Sequence, residues 1–149
     1  MNIIAISDTH CQHDYLYDLH KEENVDILIH AGDGSNSRTP AINNNELRDC
    51  LEWMSSLDNI EHKIYVPGNH CTSYEAGLIK PEEFPDIKIL VHEEIVINDV
   101  KIFGSPYTPS FGVGWAYNVS RNKLEQYWKQ IPKDTDILVT HGPPDRDWE

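Results

Sequence analysis

Four short apolar runs in this chain hand over to residues that can bind metal. The first is followed by Ser7-Asp8-Thr9-His10, the second by His30-Ala31-Gly32-Asp33, the third by Pro67-Gly68-Asn69-His70 and the last by Thr140-His141-Gly142. Singly, each has an ordinary explanation. Asp-Thr-His can form an Asx-turn, Gly-Asp and Gly-Asn are common turn dipeptides, and a lone His after a strand is usually structural. Together they read differently, because in an open α/β sheet the carboxyl ends of the strands converge on one crevice. Hard oxygen ligands mixed with imidazole, and no paired thiolates, suit Mn, Fe, Zn or Ni rather than a closed zinc–thiolate site.

The elements that must do this positioning are legible as alternating patterns. β-Branched runs at 2–6, 25–29, 63–66, 87–91, 94–97, 101–103 and 136–139 predict strands. Residues 45–57 predict a helix behind an Asn-rich cap, with Leu47, Cys50, Leu51, Met54 and Leu57 on one face. A second helix is expected over 120–131, capped by Ser120, striped by Leu124, Tyr127, Trp128 and Ile131, and stopped by Pro132. Asn98-Asp99 reads as a hairpin turn. Strands alternating with helices, then hairpin strands, give a layered α/β sandwich as the fold class. Residues 104–117 are expected to form a long loop dense in Pro, Gly and aromatic residues. Its rings, Tyr107, Phe111, Trp115 and Tyr117, offer stacking surfaces for a substrate base.

With 149 residues, one domain spanning 1–149 is expected, and a chain of this size buries about 68–70% of its unfolded surface without metal or disulfide support. The formal charge of −13, from 12 basic and 25 acidic residues, argues against long nucleic acids and anionic membranes as partners. An acidic chain still takes a small phosphate ester when divalent cations reverse the charge at the site. Three cysteines without a disulfide spacing, no signal-like start and no long apolar stretch point to a cytoplasmic protein.

Asp8-Thr9-His10, Gly32-Asp33, Gly68-Asn69-His70 and His141 follow the order of the D-x-H, G-D, G-N-H and lone-H motifs of the calcineurin-like metallophosphoesterases, which this chain resembles over its whole length. "DILIHAGD", "GSPYTPSFGVGWAYN" and "DTDILVTHGPP" are similar to the branch of metallophosphoesterase-domain-containing proteins. The resemblance implies a four-layer α/β/β/α fold and two divalent metal ions. Asp8 and His10 would hold the first ion, Asn69 and His141 the second, and Asp33 would bridge them. Hydrolysis of a phosphodiester, with small nucleotide-like and cyclic nucleotide substrates as candidates, would follow from a hydroxide generated between the ions. His70 would protonate the leaving group.

Two departures from the family pattern stand out. Cys71 follows His70 where the family usually has an acid, and the closing G-H-x-H does not occur, so the chain reads as C-terminally truncated relative to the family. Cys11, Cys71, Asp145 and Asp147 are the candidates for replacement ligands, against the plainer reading of small buried thiols and solvated acids. The alternative function is a catalytically weak binding module or half of a split enzyme. Strands missing from the second sheet would leave an apolar edge, so a homodimer or a complementing chain is expected to cover it, with another molecule's His92 or Cys71 near the open metal positions.

Overall fold

The computed structural model describes residues 1–143. Its strands are β1 (Ile3–Ile6), β2 (Ile27–His30), β3 (His62–Tyr65), β4 (Ile87–Ile89), β5 (Glu93–Ile97), β6 (Val100–Ser105), β7 (Thr108–Pro109), β8 (Asn118–Val119) and β9 (Ile137–Thr140). Its helices are α1 (Pro40–Ser56), α2 (Thr72–Glu75) and α3 (Arg121–Lys129), with 3-10 segments at His13–Lys21, kinked at Leu16, and at Pro81–Glu83. β1 to β4 form a parallel sheet in sequence order, and β5, β6 and β9 form a second sheet.

Side-chain alternation in β2 explains the layering. Leu28 points into a cluster with Leu47, Cys50, Leu51 and Met54 of α1, whereas Ile27 and Ile29 point the other way, toward Ile97, Ile102 and Val139 of the second sheet. β2 is therefore buried on both faces and reads as an uninterrupted apolar run. Each of these buried side chains contributes roughly 1.5–3 kcal/mol of transfer free energy. With α1 outside the first sheet and α3 beside β7, the layers follow the expected α/β/β/α order.

Register fixes where the loops emerge. Ile6, His30 and Tyr65 are paired partners in one row at the carboxyl ends of β1, β2 and β3. The ladder continues beyond the strands, through Asp8 N–H to Gly32 O, His10 N–H to Asp33 O and Cys11 N–H to Gly34 O, each 2.9 Å. The loops after β1 and β2 are thereby held side by side, and Val66 N–H to His30 O, 2.9 Å, starts the loop after β3 beside them.

Several local expectations change in detail. α1 begins at Pro40 behind Thr39, five residues before the expected start, because Pro fits the first helical position; Asn43 is then inside the helix and fully buried rather than capping it. Asn98 and Asp99 both have positive φ, 49° and 65°, as a two-residue turn between β5 and β6 requires. The hydroxyl of Ser120 accepts from Lys123 N–H and caps α3. The expected loop over 104–117 is shorter, since β6 runs through Ser105 and the ends are tied by Thr108 N–H to Tyr117 O and Ser110 N–H to Val119 O. The segment is a closed loop packed on its own side chains.

Candidate metal centre

Asp33 is the hub. Its side chain is 3% exposed, and it belongs to both groups of potential ligands among the described residues: Asp33 with His10 and His70, and Asp33 with Asp8 and His141. Asp33 Oδ2 lies 3.2 Å from His141 Nε2 and 3.9 Å from His70 Nε2, while Asp33 Oδ1 accepts the His70 main-chain N–H at 2.8 Å. Asp8 Oδ1 is 3.7 Å from His10 Nε2, and Asn69 Oδ1 is 3.2 Å from His141 Nε2. The sequence-predicted ligands therefore come together, with two differences in grouping: Asp8 falls beside His141 as well as beside His10, and His70, expected as a proton donor, falls in a group with His10 and Asp33.

Two glycines make the convergence possible. A Cβ on Gly68 would overlap Asp33 Oδ1, and one on Gly32, at φ +102°, would meet Gly68 N and His141 Nδ1 at 2.7 Å. Asp8, His10 and Asp33 also adopt positive φ, at 53°, 41° and 57°. Strained backbone of this kind persists where its surroundings over-determine it.

The three imidazoles share one tautomer. His10 Nδ1 donates to Ser35 O at 3.0 Å, His141 Nδ1 donates to Ala31 O at 2.8 Å, and His70 Nδ1 donates to Asn36 O. A carbonyl only accepts, so Nδ1 carries the proton and each neutral ring turns an Nε2 lone pair inward. At His141 that lone pair faces two oxygens, Asp33 Oδ2 and Asn69 Oδ1. Such a contact is repulsive until a cation lies between them or Nε2 is protonated. The ionisation of the pair reflects this. Burial pushes the Asp33 carboxyl up, but the hydrogen bond and charge of His141 outweigh it and leave the carboxyl below its ordinary range. For His141, burial acts to lower the pKa, and the hydrogen bond and charge of Asp33 raise it above the ordinary value. Nitrogen lone pairs and carboxylates converging on one space form a donor set that fits divalent cations.

Cys71 is not a replacement ligand. It is fully buried, its Sγ accepts from Gly68 N–H at 3.2 Å and contacts Tyr65 Oη at 3.2 Å, and burial pushes its thiol up to about 11. The thiolate that metal binding needs is therefore disfavoured. Cys11 is exposed, yet burial of its thiol and then the nearby charge of Glu46 raise its pKa, and it joins neither ligand group. Asp145 and Asp147 lie outside the described residues. His92 sits away from the cluster, with Nδ1 3.0 Å from Ser105 Oγ and Nε2 3.0 Å from Gln130 Oε1.

The aromatic loop reaches the site through Ala116 N–H, which donates to Asn69 O at 2.8 Å. Trp115 meets His70 edge-on with ring centroids 5.1 Å apart, and Phe111, exposed, lies 5.0 Å from Trp115. Tyr107 stacks flat on Tyr127 at 3.9 Å, and Tyr117 is buried. The accessible rings beside His70 are thus Trp115 and Phe111. Arg38 holds its guanidinium 4.1 Å over the Trp115 ring. No sequence pattern singled out Arg38, because only the tertiary path of the loop before α1 brings it there.

A layered α/β/β/α sandwich with a shared buried carboxylate at the strand ends defines a metallophosphoesterase-type fold and site. Residues 1–149 match the calcineurin-like phosphoesterase family, and the chain belongs to it. It is 32% identical over 166 residues to metallophosphoesterase domain-containing protein 1 of Homo sapiens, covering 95% of this chain and 48% of that protein. It is 36% identical over 156 residues to a probable rhamnogalacturonate lyase C of Emericella nidulans, covering 97% of this chain but 14% of that protein. A DNA double-strand break repair protein, Mre11, of Saccharolobus solfataricus is 29% identical over 101 residues, which is 64% of this chain and 26% of that protein. The chain spans about half the length of the human relative. Family membership points to metal-dependent phosphoester hydrolysis.

Proposed function

We propose that this chain hydrolyses a small, nucleotide-like phosphodiester with the help of two divalent cations. Asp8 and His10 would hold one, Asn69 and His141 the other, and Asp33 would bridge them. The observation that carries this reading is the buried Asp33 carboxylate shared by two ligand groups whose imidazoles turn Nε2 inward. When bound, such cations polarise phosphoryl oxygens and acidify water at neutral pH. The remaining work falls to the chain. His70, 20% exposed and donating through Nδ1 to Asn36 O, would act as the imidazolium: Nε2, once it has taken up a second proton from solvent, passes that proton to the leaving oxygen and returns the ring to its Nδ1–H form. Trp115 and Phe111 would stack on the leaving portion of the substrate, with Tyr107 and Tyr117 buttressing the loop from behind. Free thiols at Cys11, Cys50 and Cys71 accord with a reducing, cytoplasmic location. Among the described residues, no helix is long and apolar enough to cross a membrane.

The test is a panel of cyclic and linear phosphodiesters with added Mn²⁺, Fe²⁺, Zn²⁺ or Ni²⁺, read together with metal content per chain. Turnover accompanied by two bound ions supports the enzyme. A second reading, a weak binding module or half of a two-chain enzyme, draws on the small size of each group, three imidazole or carboxylate ligands among the described residues. Bound ions without turnover of any panel member would favour it. The partner for such a pairing, a second copy or a complementing chain, would cover the apolar groove between β1 and β9, lined by Ile3, Ala5, Ile137 and Leu138. A concentration-independent monomer in sedimentation would remove that partner.

A further inference from the structure

Two of the three inward-facing imidazoles are oriented by a single short segment. His10 Nδ1 donates to Ser35 O and His70 Nδ1 to Asn36 O, so the main chain of 35–36 decides which nitrogen of each ring is left for chemistry. Those carbonyls point correctly only while the segment keeps its path. Two residues one helical turn apart on α1 hold it. Glu46 Oε2 accepts both the Asn36 N–H, at 2.8 Å, and the Ser37 N–H, at 2.7 Å. Asn43 Nδ2 donates to Ser35 Oγ and Ser37 O, each at 2.7 Å, and lies 2.6 Å from His70 O, so its two hydrogens are shared among three acceptors.

The Asn43 amide is used on its other side as well. Its Oδ1 accepts from Ser73 N–H at 3.1 Å and Ser73 Oγ–H at 2.6 Å, and the residue is fully buried. A buried amide is costly wherever an apolar residue would fit, unless every polar atom is satisfied and the network fixes a particular arrangement. Here the arrangement ties the loop after β2, the loop after β3 and the start of α2 to one point on α1. Neither residue belongs to the apolar stripe of Leu47, Cys50, Leu51 and Met54 that anchors the helix. Anchoring of the helix and orientation of the segment are therefore separate tasks carried by separate residues.

We propose that Asn43 and Glu46 are positioning residues, setting the tautomer and aim of His10 and His70 through the main chain of residues 35–37. The structural half stands alone; the catalytic consequence rests on the phosphodiesterase reading above. Long-range ¹H–¹⁵N correlation spectra of the imidazoles test the first half, on the full chain without added metal at a pH where the rings are neutral. The chain should show Nδ1–H tautomers at His10 and His70. Glu46→Gln, whose amide oxygen still accepts both N–H groups, should keep them. Glu46→Ala and Asn43→Ala should give Nε2–H or averaged signals, and kcat should fall about 10–100-fold with KM little changed. If Asn43→Ala does not fold, Glu46→Ala decides the matter, because Glu46 is only half-buried. Unchanged Nδ1–H tautomers in Glu46→Ala overturn the proposal. Shifted tautomers in a chain that turns over no phosphodiester support it while removing the phosphodiesterase reading.

Discussion

His30 Nε2 lies 2.9 Å from Thr9 Oγ1, and this bond joins the loop leaving β1 to the last residue of β2. Gly32 N–H donates to His30 Nδ1 at 3.2 Å, so Nε2 carries the proton and donates to the threonine. The ring is fully buried against Tyr65, and burial pushes its pKa down to about 3. Protonation therefore favours the unfolded chain, where the value is 6.5. The stability contributed by the neutral ring is complete above pH 6.5 and is lost as pH falls from there toward 3, at about 1.4 kcal/mol per pH unit. Urea unfolding at pH 7, 6 and 5 should show the chain losing stability faster than His30→Gln, by about half that slope from pH 7 to 6 and close to the full slope from pH 6 to 5. Parallel pH dependences would mean that His30 does not titrate on unfolding.

Asp33→Asn should abolish metal-dependent hydrolysis and lower metal content. An amide offers neither the charge nor the second strong oxygen donor that a position shared by two ligand groups requires. Calorimetric titration with Mn²⁺ beside a rate assay reads both. Full activity in the variant would sink the two-cation reading.

His70→Gln should slow turnover by about 10²–10⁴-fold, the usual loss on removing a general acid. Metal content per chain should stay unchanged. Because His70 Nε2 lies 3.9 Å from Asp33 Oδ2 and falls in a ligand group with it, loss of metal in this variant would make His70 a ligand instead of the proton donor.

Trp115→Ala should raise KM while kcat holds. Stacking one base on an aromatic ring contributes about 1–3 kcal/mol, which corresponds to roughly 5–150-fold in affinity. The comparison is between a nucleotide substrate and a phosphodiester without aromatic groups. An equal rise in KM for both would show that Trp115 supports the loop and does not contact the base.

Much of this site was readable before its geometry, and the reason is periodicity. Asp8, His10, Asp33, Asn69, His70 and His141 stand at the ends of apolar runs, and a parallel sheet brings such ends together in register. The apolar face of α1 was equally plain, since Leu47, Cys50, Leu51 and Met54 recur at helical spacing. What escaped was any role set by a loop's path through space. Asn43 read as part of an Asn-rich cap, because an asparagine near a helix start usually is one; Pro40 moved the start and buried it. Arg38, Glu46 and His30 act on backbone or rings that are distant in sequence or turned by a tertiary contact. The inward residues of the His13–Lys21 turns, His13, Leu16 and Leu19, recur every three positions, but only two of them are apolar, too short a stripe to be read as a helix.

Gly68→Ala should be among the most damaging single-methyl additions to the chain, since the new Cβ would overlap the Asp33 carboxylate. Overpacking of this kind typically costs about 1–3 kcal/mol. Metal binding should weaken beyond that, because the displaced carboxylate is the one proposed to bridge the two ions. A variant with native unfolding midpoint and native Mn²⁺ affinity would show that the loops do not approach so closely.

The three inward-facing imidazoles are held by main-chain oxygens at positions 31, 35 and 36, and a carbonyl is present whatever residue occupies a position. Ring orientation is thereby uncoupled from side-chain identity at position 36, whose side chain is exposed, and at the neighbouring exposed Arg38. Such an arrangement is evolvable: what approaches the centre can be rewritten on the same segment that aims the rings. A library randomised at 36 and 38, selected for turnover of differently shaped esters, would sample new specificities on an unaltered set of ligands.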